Sequence, residues 1–141
     1  MILKDLNSSY HIMVTRVHAN HKVYNISYHI IWIPKYRKHI LKDKIQIAVK
    51  KYLFEKAHML KISIEAYEIM DDHIHLFIKS IPDLTISYIV QQLKGYTSYK
   101  VRNEFPILKK YKSLWTHSYF VETIGLISEK TVKRYIEMQR K

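Results

Sequence analysis

Apolar and polar residues alternate over residues 23–33, the pattern of a β-strand whose two faces meet different surroundings. Pro34 ends the alternation, and a basic stretch at 35–39 follows as a turn. From Asp43 to Leu60 apolar residues recur at helical spacing, and Asp is a common helix cap. The first third of the chain therefore predicts a strand, a basic turn and an amphipathic helix capped by Asp43.

Alternation returns at 62–66 and at 73–79, and Asp71-Asp72 between these segments is typical of a turn. Two antiparallel strands are expected from this pattern. Apolar periodicity then indicates a second helix, capped by Thr85 and ending before Pro106. Gly95 inside that helix costs about 1 kcal/mol relative to Ala, so we expect another group to approach the backbone closely there.

A last strand is predicted at 115–124, and Ser128 is placed to cap a short helix at 129–139. The first six elements, in the order strand, helix, strand, strand, helix, strand, fit an α+β fold of the ferredoxin-like type, a split βαβ sandwich. Its antiparallel sheet would have helices on one face and an open second face, with the C-terminal helix added. We expect one domain over 1–141, in which 1–21 is a weakly structured lead-in.

The strongest chemical motif is His73-Ile74-His75. Residues two apart on a strand point the same way, roughly 6.8 Å apart, so both imidazoles can bind one metal ion. The apolar residues at 74, 76 and 78 should face the helices, which puts His73, His75, Phe77 and Lys79 on the open face. With nine histidines in the chain, a chance pair that binds nothing is the alternative.

A second candidate lies on the C-terminal helix, where Tyr135 and Gln139 are one turn apart, about 6 Å along the axis. A phenol beside an amide oxygen can act as nucleophile and metal ligand if the helix lies over the histidine pair. In the alternative, Tyr135 packs at the edge of an amphipathic helix, as a tyrosine commonly does.

The net charge of the chain indicates what kind of partner it binds. The 141 residues include 24 Lys and Arg against 12 Asp and Glu, a net charge of +12, with twelve Tyr and two Trp available for stacking. This balance favours nucleic acid over an anionic membrane surface. The sequence contains no apolar run of about 18 residues, so no membrane span is expected. The absence of cysteine excludes disulfides and thiolate metal sites.

Other polar residues are weaker candidates. His29 lies on the polar side of the first strand, where it either approaches the active site or forms a hydrogen bond at the surface, the option we favour. Asp72 either orients the His73 side chain or only stabilises the turn. Plausible contacts to DNA phosphates are Lys35, Arg37, Lys38 and Lys94.

Five short motifs occur in a set order: YHIIWIPKYR at 28–37, DHIHL at 72–76, LKGYTS at 93–98, Trp115 followed by YFVETIG at 119–125, and TVKRYIEMQ at 131–139. Over about 22–140 the chain thereby resembles the single-tyrosine HUH transposases of small bacterial and archaeal insertion sequences, the TnpA type. One departure is Ser118, where the family pattern has glycine.

The resemblance implies that His73, His75 and Gln139 bind a divalent ion, Mg²⁺ or Mn²⁺, and that Tyr135 is the nucleophile. It implies nicking and rejoining of single-stranded transposon ends through a 5′-phosphotyrosine, with recognition of end hairpins, in a prokaryotic cytoplasm. It further implies a homodimer, and we expect the histidines of one subunit to work with Tyr135 and Gln139 of the other.

Two rival functions remain. One is a non-enzymatic single-stranded nucleic-acid-binding module on the same sheet, which would stack bases on surface aromatics. The other is a metal-dependent nuclease that uses water and needs no tyrosine.

Overall fold

The structure, a computed structural model, describes residues 17–19, 22–24, 26–124 and 133–139. Two short strands, β1 (Val17–Ala19) and β2 (Lys22–Tyr24), pair antiparallel with each other. β1 lies within the predicted lead-in over 1–21, of which the structure describes only 17–19. A strand of three residues is too short to show an alternating pattern, so β1 could not be predicted from the sequence.

A four-stranded antiparallel sheet forms the centre of the fold. Its strands are β3 (Ile26–Trp32), β4 (Ser63–Met70), β5 (His73–Ser80) and β6 (Phe120–Ile124). They lie in the order β4-β5-β3-β6, and every neighbouring pair is antiparallel. The first and third strands of the unit are central, which is the ferredoxin-like order expected from the sequence.

Two long helices follow the predicted bounds closely. They are α1 (Asp43–Leu60) and α2 (Ile86–Glu104). The hydroxyl of Thr85 accepts a hydrogen bond from the backbone N–H of Tyr88 at 3.1 Å, which confirms the predicted cap of α2. The predicted cap of α1 is wrong.

Lys42, not Asp43, occupies the capping position of α1, and its side chain makes no capping hydrogen bond. Asp43 is the first helical residue, with a φ of 50°. Asp tolerates this left-handed backbone conformation better than most residues do. Asp43 therefore begins α1 as its first helical residue and does not cap it.

The main core lies between the helices and one face of the sheet. Ile74, Leu76 and Ile78 are completely buried there, as their alternation predicted. The opposite face was expected to be open, yet Phe77 is also completely buried, in a small cluster with Ile136. The helical segment 133–139 covers this part of the second face, so that only the neighbouring part of the face remains accessible.

The last strand is shorter than predicted. It begins at Phe120, whereas Trp115 makes only an isolated bridge to Pro34. Between them, the carbonyls of residues 116–118 accept hydrogen bonds from the ammonium of Lys94, and this segment has no strand partner. Within the described ranges, no helix is long and apolar enough to cross a membrane.

Candidate active site

Strand register places a row of four side chains across the second face of the sheet. Glu68 on β4 is opposite His75 on β5, His75 is opposite Ile31 on β3, and Ile31 is opposite Phe120 on β6. Residues directly opposite each other in a sheet point to the same face. Phe120 is 51% exposed at the outer end of this row, so an aromatic ring is accessible on the face that holds the histidines.

Glu68, His73 and His75 form a compact group of metal-binding side chains. Their ligand atoms all lie within 4.8 Å of one another, and Glu68 is only 1% exposed. Sequence reasoning missed Glu68. The two-residue turn at Asp71-Asp72 fixes the hairpin register, so counting back from His75 across that turn would have found it.

A chain of polar contacts orients His73. Its Nδ1 donates to Asp72 Oδ1 at 2.8 Å, and its Nε2 lies 3.2 Å from Glu68 Oε1. Asp72 also accepts from Arg37 Nε at 2.9 Å. Desolvation alone would raise the pKa of Asp72, but the hydrogen bonds from His73 and Arg37 outweigh it and the pKa is lowered. Asp72 is thus both a turn residue and the partner that orients His73.

His75 is held neutral. Desolvation by burial, followed by the charges of His73 and His29, lowers the pKa of His75 to about 4. An imidazole must be deprotonated to bind a metal ion, so this residue is ready to act as a ligand at neutral pH. Two imidazoles with a buried carboxylate beside them are a donor set that fits a divalent cation.

Tyr135 and Gln139 lie in the same cavity as the two histidines. This cavity has a volume of about 570 Å³, and its lining includes His73, His75, Tyr135, Gln139 and Arg37. The Gln139 amide donates a hydrogen bond to the Tyr135 hydroxyl. Tyr135 is 51% exposed, so a substrate can reach its oxygen.

Ile136, completely buried against Phe77, anchors the helical segment on the sheet. The Lys133 side chain is mostly buried, with Nζ 5.2 Å from the centre of the Phe77 ring and 3.6 Å from Glu65 Oε1. The segment therefore packs with residues 133 and 136 toward the sheet, and it presents residues 135 and 139 to the cavity.

All of these groups belong to one chain, which by itself lines the cavity with both histidines, Tyr135 and Gln139. The expectation that the histidines of one subunit work with the tyrosine of another stays a prediction. The start of the C-terminal helix, with the predicted cap Ser128, lies outside the described residues.

His29 is buried and not at the surface, contrary to the option favoured from sequence. It is 7% exposed, its ring centre lies 5.5 Å from that of His75, and its Nδ1 is 3.4 Å from Glu122 Oε1. The alternation that placed it on the polar side of β3 was right. That side is buried here because β5 and β6 flank β3 and supply neighbouring side chains.

The four predicted phosphate contacts have different surroundings. Arg37 lines the cavity while paired with Asp72. Lys38 Nζ lies 5.2 Å from the centre of the Tyr111 ring and Lys35 Nζ 5.5 Å from that of Tyr36. Lys94 instead donates to three backbone carbonyls.

The fold and the cavity together define a class: ferredoxin-like α+β proteins with paired histidines and a helix-borne tyrosine on the sheet face away from the main helices. Residues 22–139 match the family described as IS200-like transposases. The chain belongs to this family.

Two curated proteins that are named as transposases are similar to this chain. The chain is 31% identical over 120 residues to the ISDra2 transposase TnpA of Deinococcus radiodurans, covering 83% of this chain and 86% of that protein. It is also 31% identical over 122 residues to the transposase for insertion sequence element IS200 of Salmonella typhimurium, with 84% and 80% covered.

Solved structures show the same fold. A crystal structure of a Deinococcus radiodurans protein assigned as a transposase is 32% identical, has a TM-score of 0.73, and covers 87% of this chain and 97% of its own. A REP-associated tyrosine transposase bound to a REP hairpin is 12% identical, with a TM-score of 0.63 and 87% and 71% covered. The latter likeness supports the fold alone.

Proposed function

We propose that this transposase cleaves and rejoins single-stranded DNA through a covalent 5′-phosphotyrosine on Tyr135. The observation that carries this proposal is the position of the Tyr135 hydroxyl, which lies in one cavity with His73 and His75. A binding module would not need an accessible phenol beside a neutral, metal-competent histidine.

In the proposed reaction, the Tyr135 oxygen attacks the scissile phosphorus and the bond to the 3′-oxygen breaks. The phenol loses its proton, the leaving 3′-oxygen gains one, and the products are a 3′-hydroxyl and a 5′-phosphotyrosine. One phosphoester replaces another, so a second 3′-hydroxyl can reverse the step and join new ends without ATP. Gln139, which donates to the Tyr135 hydroxyl, orients the phenol in the cavity.

His73 and His75 would hold a divalent ion, with Gln139 or Glu68 as a third ligand. When bound, such an ion polarises the phosphate oxygens and offsets the charge that develops during attack. Asp72 keeps the His73 ring oriented, a role that partners of metal-binding histidines commonly have. The mixed nitrogen and oxygen donors suit Mn²⁺ at least as well as Mg²⁺.

The DNA partner is proposed to be a single-stranded transposon end that folds into a hairpin. A structural neighbour, the REP-associated tyrosine transposase, was solved with a REP hairpin bound, and the net charge of +12 suits a polyanion. We further propose a homodimer, since two ends must be held together for rejoining.

Detection of a covalent adduct tests this function. An end oligonucleotide labelled on the 3′ side of the cut is incubated with protein and Mn²⁺ and then run on a denaturing gel. A labelled band at the size of protein plus DNA is expected. Cleavage without an adduct would instead indicate the nuclease that uses water, and binding without cleavage would indicate the non-enzymatic module.

Removal of divalent ions should stop cleavage. With excess EDTA we expect no adduct, and Mn²⁺ or Mg²⁺ added beyond the chelator should restore it, because the histidine pair supplies the ligands. Hairpin binding measured in the same samples is the control and should persist. Cleavage at an undiminished rate in EDTA would contradict the metal site.

DNA binding should weaken steeply with salt. Each phosphate neutralised contributes roughly −0.7 to −0.9 to the slope of log K against log salt, so Lys38→Gln should make the slope shallower by about that amount. Lys44→Gln, which removes an exposed charge from α1, serves as the matched comparison. Equal slopes for Lys38→Gln and the wild type would remove Lys38 from the phosphate contacts.

A further inference from the structure

A second cleft, separate from the catalytic cavity, lies between the outer side of α2 and residues 113–119. Its volume is about 520 Å³, within the range of small-ligand sites in proteins, roughly 300–1,000 Å³. Among the residues the structure describes, none that lines this cleft also lines the catalytic cavity. The proposed reaction therefore leaves the cleft without a role.

Hydrogen bonds hold the two walls of the cleft in place. Lys94 Nζ donates to the carbonyls of Thr116, His117 and Ser118 at 2.6, 3.2 and 3.3 Å. An ammonium has three protons, so these bonds use all of its donors. The indole of Trp115 donates to the Lys94 carbonyl and to Thr97 Oγ1, both at 3.1 Å. The cleft is thus built before any ligand arrives.

Gly95 lies on the α2 wall of the cleft and is exposed. The sequence predicted that another group approaches this backbone, but a Cβ atom added at Gly95 would meet no described atom within 4 Å. Glycine within a helix costs about 1 kcal/mol relative to Ala. Since packing inside the chain does not require glycine here, the space in front of it is available to a ligand.

The lining suits a nucleotide. Its polar groups include the hydroxyls of Ser87, Ser98, Ser113 and Thr116, the Gln91 amide and the His117 imidazole, and among the described lining residues there is no carboxylate. Hydroxyls and amides commonly bind phosphate and sugar oxygens. The ring of Tyr119, also on the lining, offers a surface on which a base can stack.

The cleft and the catalytic cavity are close along the fold. Thr116, on the cleft wall, donates its backbone N–H to the carbonyl of Ile33, which lines the cavity, at 3.1 Å. Tyr119 directly precedes Phe120, which pairs with the cavity residue Ile31. Adjacent backbone segments therefore line the two places.

We propose that this cleft binds an unpaired nucleotide of the DNA, away from the phosphodiester that is cleaved. This inference rests on the proposed function for the identity of the DNA, but the binding itself needs no chemistry at Tyr135. A paired base has its partner strand beside it and cannot enter a cleft of this size, so the cleft selects single-stranded segments.

Gly95→Leu tests the inference because leucine adds bulk to the cleft and is also a better helix former than glycine. The substitution is introduced into Tyr135→Phe protein. We expect the melting temperature of the double variant to stay equal or rise, and its Kd for a fluorescent end oligonucleotide to increase about tenfold, near the loss of one stacked base. Asn103→Leu, at an exposed position of α2 away from the cleft lining, is the control and should leave the Kd unchanged.

Two further probes decide the kind of ligand. Oligothymidylate should show the same loss with Gly95→Leu, whereas a blunt duplex of the end sequence should bind both proteins equally. An unchanged Kd for both single-stranded probes would overturn the inference, as would a loss seen only with the duplex. Because the protein cannot form the adduct, these results are independent of the adduct assay: wild-type protein without an adduct would reject the proposed function alone.

Discussion

Tyr135→Phe protein is expected to form no covalent adduct with DNA and to lose cleavage by at least about 10³-fold, as for other enzymes that lose their nucleophile. The substitution removes one oxygen and leaves the ring. Tyr135 is half exposed and Ile136, not Tyr135, anchors the segment on the sheet, so stability and hairpin affinity should change little. Denaturing gels for the adduct and fluorescence anisotropy for binding measure the two effects separately.

Two other tyrosines serve as matched controls. Tyr96 donates its hydroxyl to Glu55 at 2.7 Å between α2 and α1, and Tyr119 lines the second cleft. Neither lines the catalytic cavity, so Tyr96→Phe and Tyr119→Phe should still form the adduct. An adduct that survives in Tyr135→Phe but disappears in one of these variants would assign the nucleophile to that residue.

His75→Ala is expected to remove metal-dependent cleavage. It deletes a proposed ligand whose pKa is lowered by burial, and we expect Mn²⁺ affinity to fall by at least about 100-fold, the upper end of the effect of losing a ligand's supporting partner. Isothermal titration with Mn²⁺ measures the affinity directly, and adduct formation over a range of Mn²⁺ concentrations measures the effect on cleavage.

His58→Ala is the control for this experiment. His58 is an exposed histidine in the last turn of α1, on the helix side of the sheet, so its loss should affect neither Mn²⁺ affinity nor cleavage. If His75→Ala bound Mn²⁺ as tightly as the wild type, the histidine pair would not be the metal site, even if cleavage were reduced.

The sequence alone predicted most of the fold because its signals are local. The alternation at 73–79 determined which side chains face the core, and the helical periods determined α1 and α2. It failed where a longer-range contact decided the structure. Residues 116–119 were predicted as part of the last strand, yet Lys94, over twenty positions earlier, donates hydrogen bonds to the carbonyls of 116–118.

For the cavity, the motif and the family resemblance named His73, His75, Tyr135 and Gln139, and the structure brings these four residues together in one chain. Counting across the turn at 71–72 could have placed Glu68 beside them. The sequence could not show that His29 is buried next to His75, because that contact depends on pairing between β3 and β5, which are far apart in the chain. Nor could it show that Ile136 packs on Phe77 and so covers part of the second sheet face.

The sequence by itself therefore determined the order and type of the four strands of the main sheet and of α1 and α2, the pair of histidines on one strand face and the positive charge that favours DNA. These properties follow from residues that are close in the chain or from the summed charge of the sequence. Tertiary structure decided which distant groups share a cavity, which of them are neutral, and that Lys94 closes one wall of a second cleft. Such properties depend on distances in space and on the exclusion of water, and both arise only when the sheet, the helices and the segment 133–139 pack together.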